Sequence, residues 1–187
     1  MNHQDHVNLL QPANLPLGGL WADFGAGSGA FTLALRELIG PEAEIYALDR
    51  DRSRLSKLGR AYRSRFGSSP ISEGRLHLIQ ADFTQALDLP MFDGILMANS
   101  LHYYKDKERI LRHVRSFLKQ DSLFLLVEYN VDSGNPWVPH PLSFETFRVL
   151  APRAGFGPPE LLATVPSSFL RQFYSAIARK REDAPSF

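Results

Sequence analysis

Asp23-Phe24-Gly25-Ala26-Gly27-Ser28-Gly29 stands where an apolar run, Leu20 to Phe24, gives way to Phe31, Ala34, Leu35, Leu38 and Ile39 at helical spacing. The pattern predicts a strand, a tight turn and a helix that Gly40-Pro41 stops. Glycines carry no Cβ, so the backbone at such a turn can come close to a ligand and aim helix N–H groups at an anion. A nucleotide-like ligand is expected there. On spacing alone Gly25, Gly27 and Ala30 also satisfy the dinucleotide pattern G-x-G-x-x-A. Asp49, 20 residues beyond Gly29, suits a ribose hydroxyl pair in either reading. The turn by itself does not choose between cofactors.

Working outward, Glu44 to Asp49 reads as a second strand, and Leu55, Leu58, Tyr62 and Phe66 form the apolar stripe of a helix ending near Gly67. Leu76 to Gln80 is a third strand, Ala81 to Leu89 is too short for a crossover helix, and Phe92 to Ala98 is a fourth strand. Ile110, Leu111, Val114, Phe117 and Leu118 mark an amphipathic helix, and Ser122 to Glu128 a fifth strand. Ser143 is a helix cap for a segment running to about Ala151. Leu161 to Val165 and Phe169 to Arg179 then predict an antiparallel hairpin at the sheet's edge. Strands alternating with helices in this way imply right-handed crossovers. The expectation is α/β: a Rossmann-like three-layer sandwich with a seven-stranded, mostly parallel sheet and a C-terminal antiparallel hairpin. At 187 residues one domain is expected, since chains divide beyond roughly 250 residues. Residues 1–19 read as a leader, 20–129 as a cofactor-binding half, 130–179 as an acceptor-side half and 180–187 as a flexible tail.

Asp23, two residues ahead of Gly25, would repel a pyrophosphate but suits a ligand carrying an ammonium group. Another acid, Asp82, ends the third strand. Here the chain resembles the class I S-adenosylmethionine-dependent methyltransferases over nearly its whole length. Their motif D/E-x-G-x-G-x-G is matched by Asp23, Gly25, Gly27 and Gly29. The resemblance implies that Asp49 holds the ribose hydroxyls, that Asp82 contacts the adenine amino group and that Phe83 flanks the ring. It also implies that Asn99-Ser100, ending the fourth strand, passes the methionine part and faces the acceptor. Ala26 in the turn and Arg50 beside Asp49 complete the expected cofactor set. The implied cofactor is S-adenosylmethionine, released as S-adenosylhomocysteine, with no metal. Lys119-Gln120-Asp121-Ser122 departs from the Pro-Gly-Gly turn of many relatives, a change expected to touch only a surface connection.

Methyl transfer from a sulfonium is an in-line displacement, so the protein aligns acceptor and methyl at about 3 Å in a dry pocket. A base is needed only where the acceptor must lose a proton. The ends of strands four and five offer Ser100, His102, Tyr103 and Tyr104, then Glu128, Tyr129 and Asn130, followed by a loop with Pro136, Trp137, Pro139, His140 and Pro141. His102, Tyr103, Tyr129, Asn130, Trp137 and His140 are the expected acceptor-binding residues. His102 is the base candidate, because a free imidazole titrates near working pH; the competing reading is a buried hydrogen-bonder. Glu128 is a second catalytic candidate, or a structural acceptor. Trp137 in a proline-stiffened loop would lid an apolar acceptor, or simply pack a long connection onto the sheet.

Several functions are disfavoured. Lys and Arg number 21 against 20 Asp and Glu, so no global field draws the chain to nucleic acid or anionic membrane. With no cysteine there is no disulfide, thiolate metal site or cysteine nucleophile, and the cytoplasm is the default compartment. No apolar run approaches the roughly 18 residues of a membrane span. The strand-four segment Ala98-Asn99-Ser100-Leu101 lacks the Asn/Asp-Pro-Pro-aromatic box of amino methyltransferases. His3, His6, His77, His102, His113 and His140 show no compact metal-ligand spacing, and His3 and His6 read as a polar leader or as part of one folded over the cofactor. Tyr103 and Lys107 match Y-x-x-x-K, but Tyr103 falls at a strand end, so the match is taken as chance. The reading is therefore a methyltransferase for a small, partly apolar acceptor, with oligomeric state open. The alternatives are an RNA methyltransferase using the basic helix at 50–65, a cofactor-binding module without chemistry, and an NAD(P)-dependent reductase.

Overall fold

The computed structural model describes residues 1–67 and 75–182. Seven strands form one sheet: β1 (Leu20–Phe24), β2 (Glu44–Asp49), β3 (Leu76–Gln80), β4 (Phe92–Ala98), β5 (Leu118–Tyr129), β6 (Glu160–Pro166) and β7 (Gln172–Arg179). Their order is β3-β2-β1-β4-β5-β7-β6. The first five are parallel, and β7 lies antiparallel between β5 and β6. The chain steps outward from β1 to β3 and then returns to the other side of β1. The crevice between the carboxyl ends of β1 and β4 is thus the topological switch point, where open α/β sheets bind ligands.

Side chains alternate across the sheet and build a core on each face. Leu123, Leu125 and Val127 of β5 join Trp21 and the helices α1 (His3–Leu10) and α2 (Ala30–Ile39). Phe124 and Leu126 face the other way, toward α4 (Lys107–Arg115) and α5 (Phe144–Arg153). Burying each such Leu or Phe stabilises the fold by roughly 1.5–3 kcal/mol. Packing is close enough to dictate residue type: a Cβ on Gly94 of β4 would lie 2.1 Å from the Trp21 ring. Helix starts carry side-chain caps, as where Asp51 accepts the amides of Ser53 and Arg54 ahead of α3 (Arg52–Phe66), and where Ser143 accepts that of Thr146 ahead of α5.

The structure corrects several sequence expectations. The leader is helical: Val7, Leu9 and Leu10 are buried in the core with α2, because α1 is amphipathic and capped by Asn2 and Asp5. Strand β5 begins at Leu118, four residues earlier than expected. Leu118 pairs with Phe92, and the polar Lys119-Gln120-Asp121 stretch is absorbed as a register shift with Asp121 left-handed at φ 58°. It is therefore part of the sheet, and no mere surface connection. The second hairpin strand starts at Gln172, three residues later than expected. Lys180 does not begin a loose tail: it is buried, its amide bonds Ser122 O at 2.9 Å and its Nζ bonds Leu118 O at 2.7 Å. Residues 183–187, the rest of the expected tail, lie outside the described residues.

Candidate functional site

The glycine turn after β1 is held from both sides. The amides of Gly25 and Ala26 both bond Leu48 O at 2.9 Å, which ties the turn to the end of β2. Asp49, the last residue of β2, accepts the Gly27 amide at 2.8 Å on one oxygen and the Asp51 amide at 2.8 Å on the other. Gly25, Gly27 and Gly29 all have left-handed φ. Gly25 has a further reason to lack a side chain, since a Cβ there would stand 2.5 Å from the Ser100 Cβ. At Gly29 the obstacle is Leu58 of α3, 2.1 Å away, so this glycine serves helix packing.

Two adjoining cavities occupy the switch-point crevice. One, of about 430 Å³, is lined by Gly25, Asp49, Arg50, Ala81, Phe83, Ser100 and Tyr104, among others. The second, of about 280 Å³, is lined by Asp23, Ala26, Gly27, Ser28, Phe31 and His6. Gly25, Arg54, Asn99 and Tyr103 line both, so the two form one cleft. Phe83 stacks on Phe24 with centroids 5.6 Å apart and meets Tyr104 edge-on at 5.5 Å, which fixes an apolar wall. Asp82 does not line the cleft itself. It binds Arg50 Nη2 at 2.8 Å and accepts the Thr84 amide and hydroxyl, while Arg50 also donates to the Tyr104 hydroxyl at 2.9 Å. Burial acts to raise the Asp82 pKa, but the Thr84 and Arg50 bonds prevail and hold it below the usual carboxylate range.

Asp23 is buried at the floor of the second cavity, where its Oδ2 accepts the Thr32 hydroxyl at 2.6 Å. Burial pushes its pKa up to about 7, partly opposed by that hydrogen bond and assisted by the negative charge of Asp49. A cation beside it would reverse this shift. Asn99 follows β4 directly in a left-handed conformation at φ 52°, and its side-chain oxygen is buried without a hydrogen-bond partner among the described residues. An orphaned acceptor in a cleft wall fits a ligand carrying N–H or O–H donors.

The expected acceptor residues divide. Tyr103 lines both cavities. His102 and Glu128 line neither: Glu128 is wholly buried, and its two oxygens accept the amides of Leu101 and His102 at 3.1 Å, that of Tyr129 at 3.3 Å and His102 Nδ1 at 2.9 Å. This carboxylate organises the 3₁₀ turn Leu101–Tyr103 that carries Tyr103 to the cleft. His140 donates its amide to His102 O at 3.0 Å, and Asn130 Oδ1 accepts the Phe144 amide at 2.9 Å at the start of α5, so both brace loops. Tyr129 packs on Phe173 at 4.2 Å and on Phe169 at 6.0 Å, and Trp137 meets Phe169 at 6.2 Å. With His102 lying 4.3 Å from Tyr103 and 6.0 Å from Tyr129, a strip of rings runs from the cleft to the hairpin tip. Trp137, 71% exposed, is its outer end.

Sequence reasoning did not place Arg54 in the cleft, and it left His6 between a polar leader and one folded over the cofactor. Arg54 fell within the basic helix at 50–65, although its place in the first turn after Asp49 was a usable signal. His6 is brought in by the packing of α1 on α2. Among the described residues no three His, Asp or Glu side chains gather as a metal site, and no helix is long and apolar enough to cross a membrane.

Residues 22–124 match the family described as methyltransferase domain, more than half of the chain. The chain belongs to that methyltransferase family. Its sheet is that of the class I S-adenosylmethionine-dependent methyltransferases, as the sequence resemblance implied. Among curated relatives, the ubiquinone/menaquinone biosynthesis C-methyltransferase of Pasteurella multocida (strain Pm70) is 28% identical over 135 residues. That match covers 71% of this chain and 47% of the relative, so the chain spans about half of that relative's length. Among solved structures, the YcgJ protein of Bacillus subtilis superposes with a TM-score of 0.77 at 14% identity, covering 97% of this chain and 100% of its own. The Burkholderia thailandensis 1,6-didemethyltoxoflavin-N1-methyltransferase, with 1,6-didemethyltoxoflavin and S-adenosylhomocysteine bound, gives a TM-score of 0.73 at 18% identity, covering 96% of this chain and 78% of its own.

Proposed function

We propose that this methyltransferase domain transfers a methyl group from S-adenosylmethionine to a small, partly apolar acceptor by in-line displacement, releasing S-adenosylhomocysteine. The observation that carries the reading is the continuous cleft at the switch point, with Asp49 in one chamber, Asp23 in the other and Asn99 at their junction. In this account Asp49 accepts from the ribose hydroxyls, and Phe83, backed by Phe24, flanks the adenine. Asp82, outside the cleft lining, holds Arg50 at the nucleoside chamber, and Asp23 faces the ammonium group. The glycine turn lets the backbone approach without a Cβ in the way.

Bound S-adenosylmethionine supplies an electrophilic methyl carbon. The acceptor's lone pair would form the new bond as the carbon–sulfur bond breaks, with the bonding pair left on sulfur and the proton of a phenol or amine acceptor released to solvent. The protein's part is to orient the two and exclude water. Tyr103 stands at the junction of the chambers, and mutually tilted rings lead from it past buried His102 through Tyr129 and Phe169 to Trp137, an aromatic edge beside the cleft. That strip favours an aromatic acceptor. The His102–Glu128 pair positions Tyr103, with no place at the reacting atoms.

Two of the basic residues of α3 face carboxylates, Arg65 with Glu37 at 2.6 Å and Arg54 with Asp51 at 3.6 Å, and the chain's net charge is only +1, which disfavours a nucleic-acid acceptor. Incubation with methyl-labelled S-adenosylmethionine and a panel of phenols, quinols and aromatic amines tests the proposal. Label on one of these, with a raised acceptor KM for Trp137→Ala and Phe169→Ala, is the expected result. Label on RNA and on none of the small acceptors overturns it.

A further inference from the structure

The second chamber has a feature that the glycine motif does not account for. His6, on the N-terminal helix α1, lines it together with Asp23, Gly27 and Ser28. The ring is held edge-on against Phe31 of α2 with centroids 4.7 Å apart, and it makes no hydrogen bond among the described residues. Neighbours on both sides fix it: Val7, Leu9 and Leu10 anchor α1 in the core, and the Asn2–Asp5 capping box fixes the start of the helix. His6 is therefore a polar group delivered to the cleft by a rigid element.

The chemistry of this chamber is lopsided. Asp23 complements a positive group, but a ligand with an α-amino acid end also brings a carboxylate, which needs donors. Two features lie near enough to supply them. The first is the N-terminal end of α2, which has Gly29 as its N-cap and no side chain capping it, so its first-turn amides and its dipole favour an anion. The second is the unpaired imidazole of His6. Arg54 is the competing cation, but it lines both chambers and lies 3.6 Å from the Asp51 carboxylate on its own helix turn, which offsets its charge. Burial, the N-terminal ammonium and His3 lower the His6 pKa, with Asp5 opposing. A neutral imidazole still donates through one ring N–H.

We propose that His6 donates a hydrogen bond to the carboxylate at the amino-acid end of the cofactor, so that the N-terminal helix is part of the cofactor site and selects ligands that carry the full amino-acid group. The proposal rests on the S-adenosylmethionine reading of the cleft, whose own failure would show as no binding of S-adenosylhomocysteine by the unmodified chain.

The test compares S-adenosylhomocysteine with 5′-methylthioadenosine, which keeps the nucleoside and thioether but lacks the amino-acid end. Dissociation constants are measured by calorimetry for the full chain, His6→Ala, His6→Gln and Arg54→Gln, with melting temperature as the check on folding. His6→Ala is expected to weaken S-adenosylhomocysteine about tenfold, in the range of a lost hydrogen bond to a charged group, while leaving 5′-methylthioadenosine unchanged. His6→Gln, which retains an N–H donor, is expected to recover part of the loss, and Arg54→Gln to leave the ratio of the two constants intact. Equal weakening of both ligands by His6→Ala, no weakening of either, or collapse of the ratio in Arg54→Gln instead would overturn the proposal.

Discussion

Nδ1 of His102 lies 2.9 Å from Oε2 of Glu128, and both side chains are shut away from solvent, one on the turn after β4 and the other in β5. The carboxylate also accepts three backbone amides, so it binds the Tyr103 turn to the centre of the sheet. Glu128→Ala strands those donors in the interior, each at about 1–3 kcal/mol. A loss of at least about 3 kcal/mol in unfolding free energy is expected by chemical denaturation. Glu128→Gln keeps a carbonyl oxygen for the Leu101 and His102 amides and should lose clearly less. Equal losses in the two variants would contradict the role given to the carboxylate.

Asp23 makes stability depend on pH. Its carboxyl titrates at about 7 in the folded chain against an ordinary 3.8, because burial disfavours the charge. The folded state therefore holds the proton more tightly between those values, and stability falls as pH rises through that window, then levels off above it. The size is on the order of 4 kcal/mol. Asp23→Asn removes the titration, so its stability relative to the unmodified chain should grow from about pH 4 to about pH 8. A gap that stays constant over that range would contradict the assignment.

The two inner glycines of the turn should respond differently to alanine. At Gly29 a Cβ meets Leu58 at 2.1 Å with φ at 93°, whereas at Gly27 nothing lies within 4 Å and φ is 56°. Gly27→Ala should cost only the left-handed backbone strain, about 1 kcal/mol. Gly29→Ala adds the clash and should cost more, and Leu58→Ala in the same chain should recover part of the difference. Thermal melts of the set decide it, and the ordering fails if Gly27→Ala is the more damaging.

Asp49 is the carboxylate on which the nucleoside chamber depends. Asp49→Ala should weaken S-adenosylhomocysteine binding by roughly 1–3 kcal/mol, because ribose hydroxyls would lose their acceptor and the Gly27 amide its anchor. Calorimetric titration measures this directly. An unchanged dissociation constant would remove Asp49 from the cofactor site.

The parallel half of the fold was legible because its signals are local. Leu20 to Phe24, the glycines behind it and the stripe from Phe31 to Ile39 set strand, turn and helix within twenty residues, and Ser143 announced α5 by its hydroxyl. The start of β5 was not legible, since Lys119, Gln120 and Asp121 are polar and exposed and their place in the sheet depends on Phe92 pairing with Leu118. The carboxylates of the cleft were legible from their positions at strand ends. For Glu128 the structural acceptor was one of two readings, and the choice was not legible because it is decided by amides 26 and 27 residues away in sequence. For His6 a leader folded over the cofactor was one of two readings, and the choice was not legible because nothing local says that a two-turn helix will lie on α2 and face the glycine turn.

Calorimetric titration of the purified chain with S-adenosylhomocysteine, and in parallel with NADH, tests the central claim most directly. Micromolar binding of S-adenosylhomocysteine with no heat from NADH is the expected result, since Asp23 suits the ammonium group of an aminoacyl nucleoside and disfavours a pyrophosphate. Binding of NADH without S-adenosylhomocysteine would contradict the account and leave the acids of the cleft as structural groups.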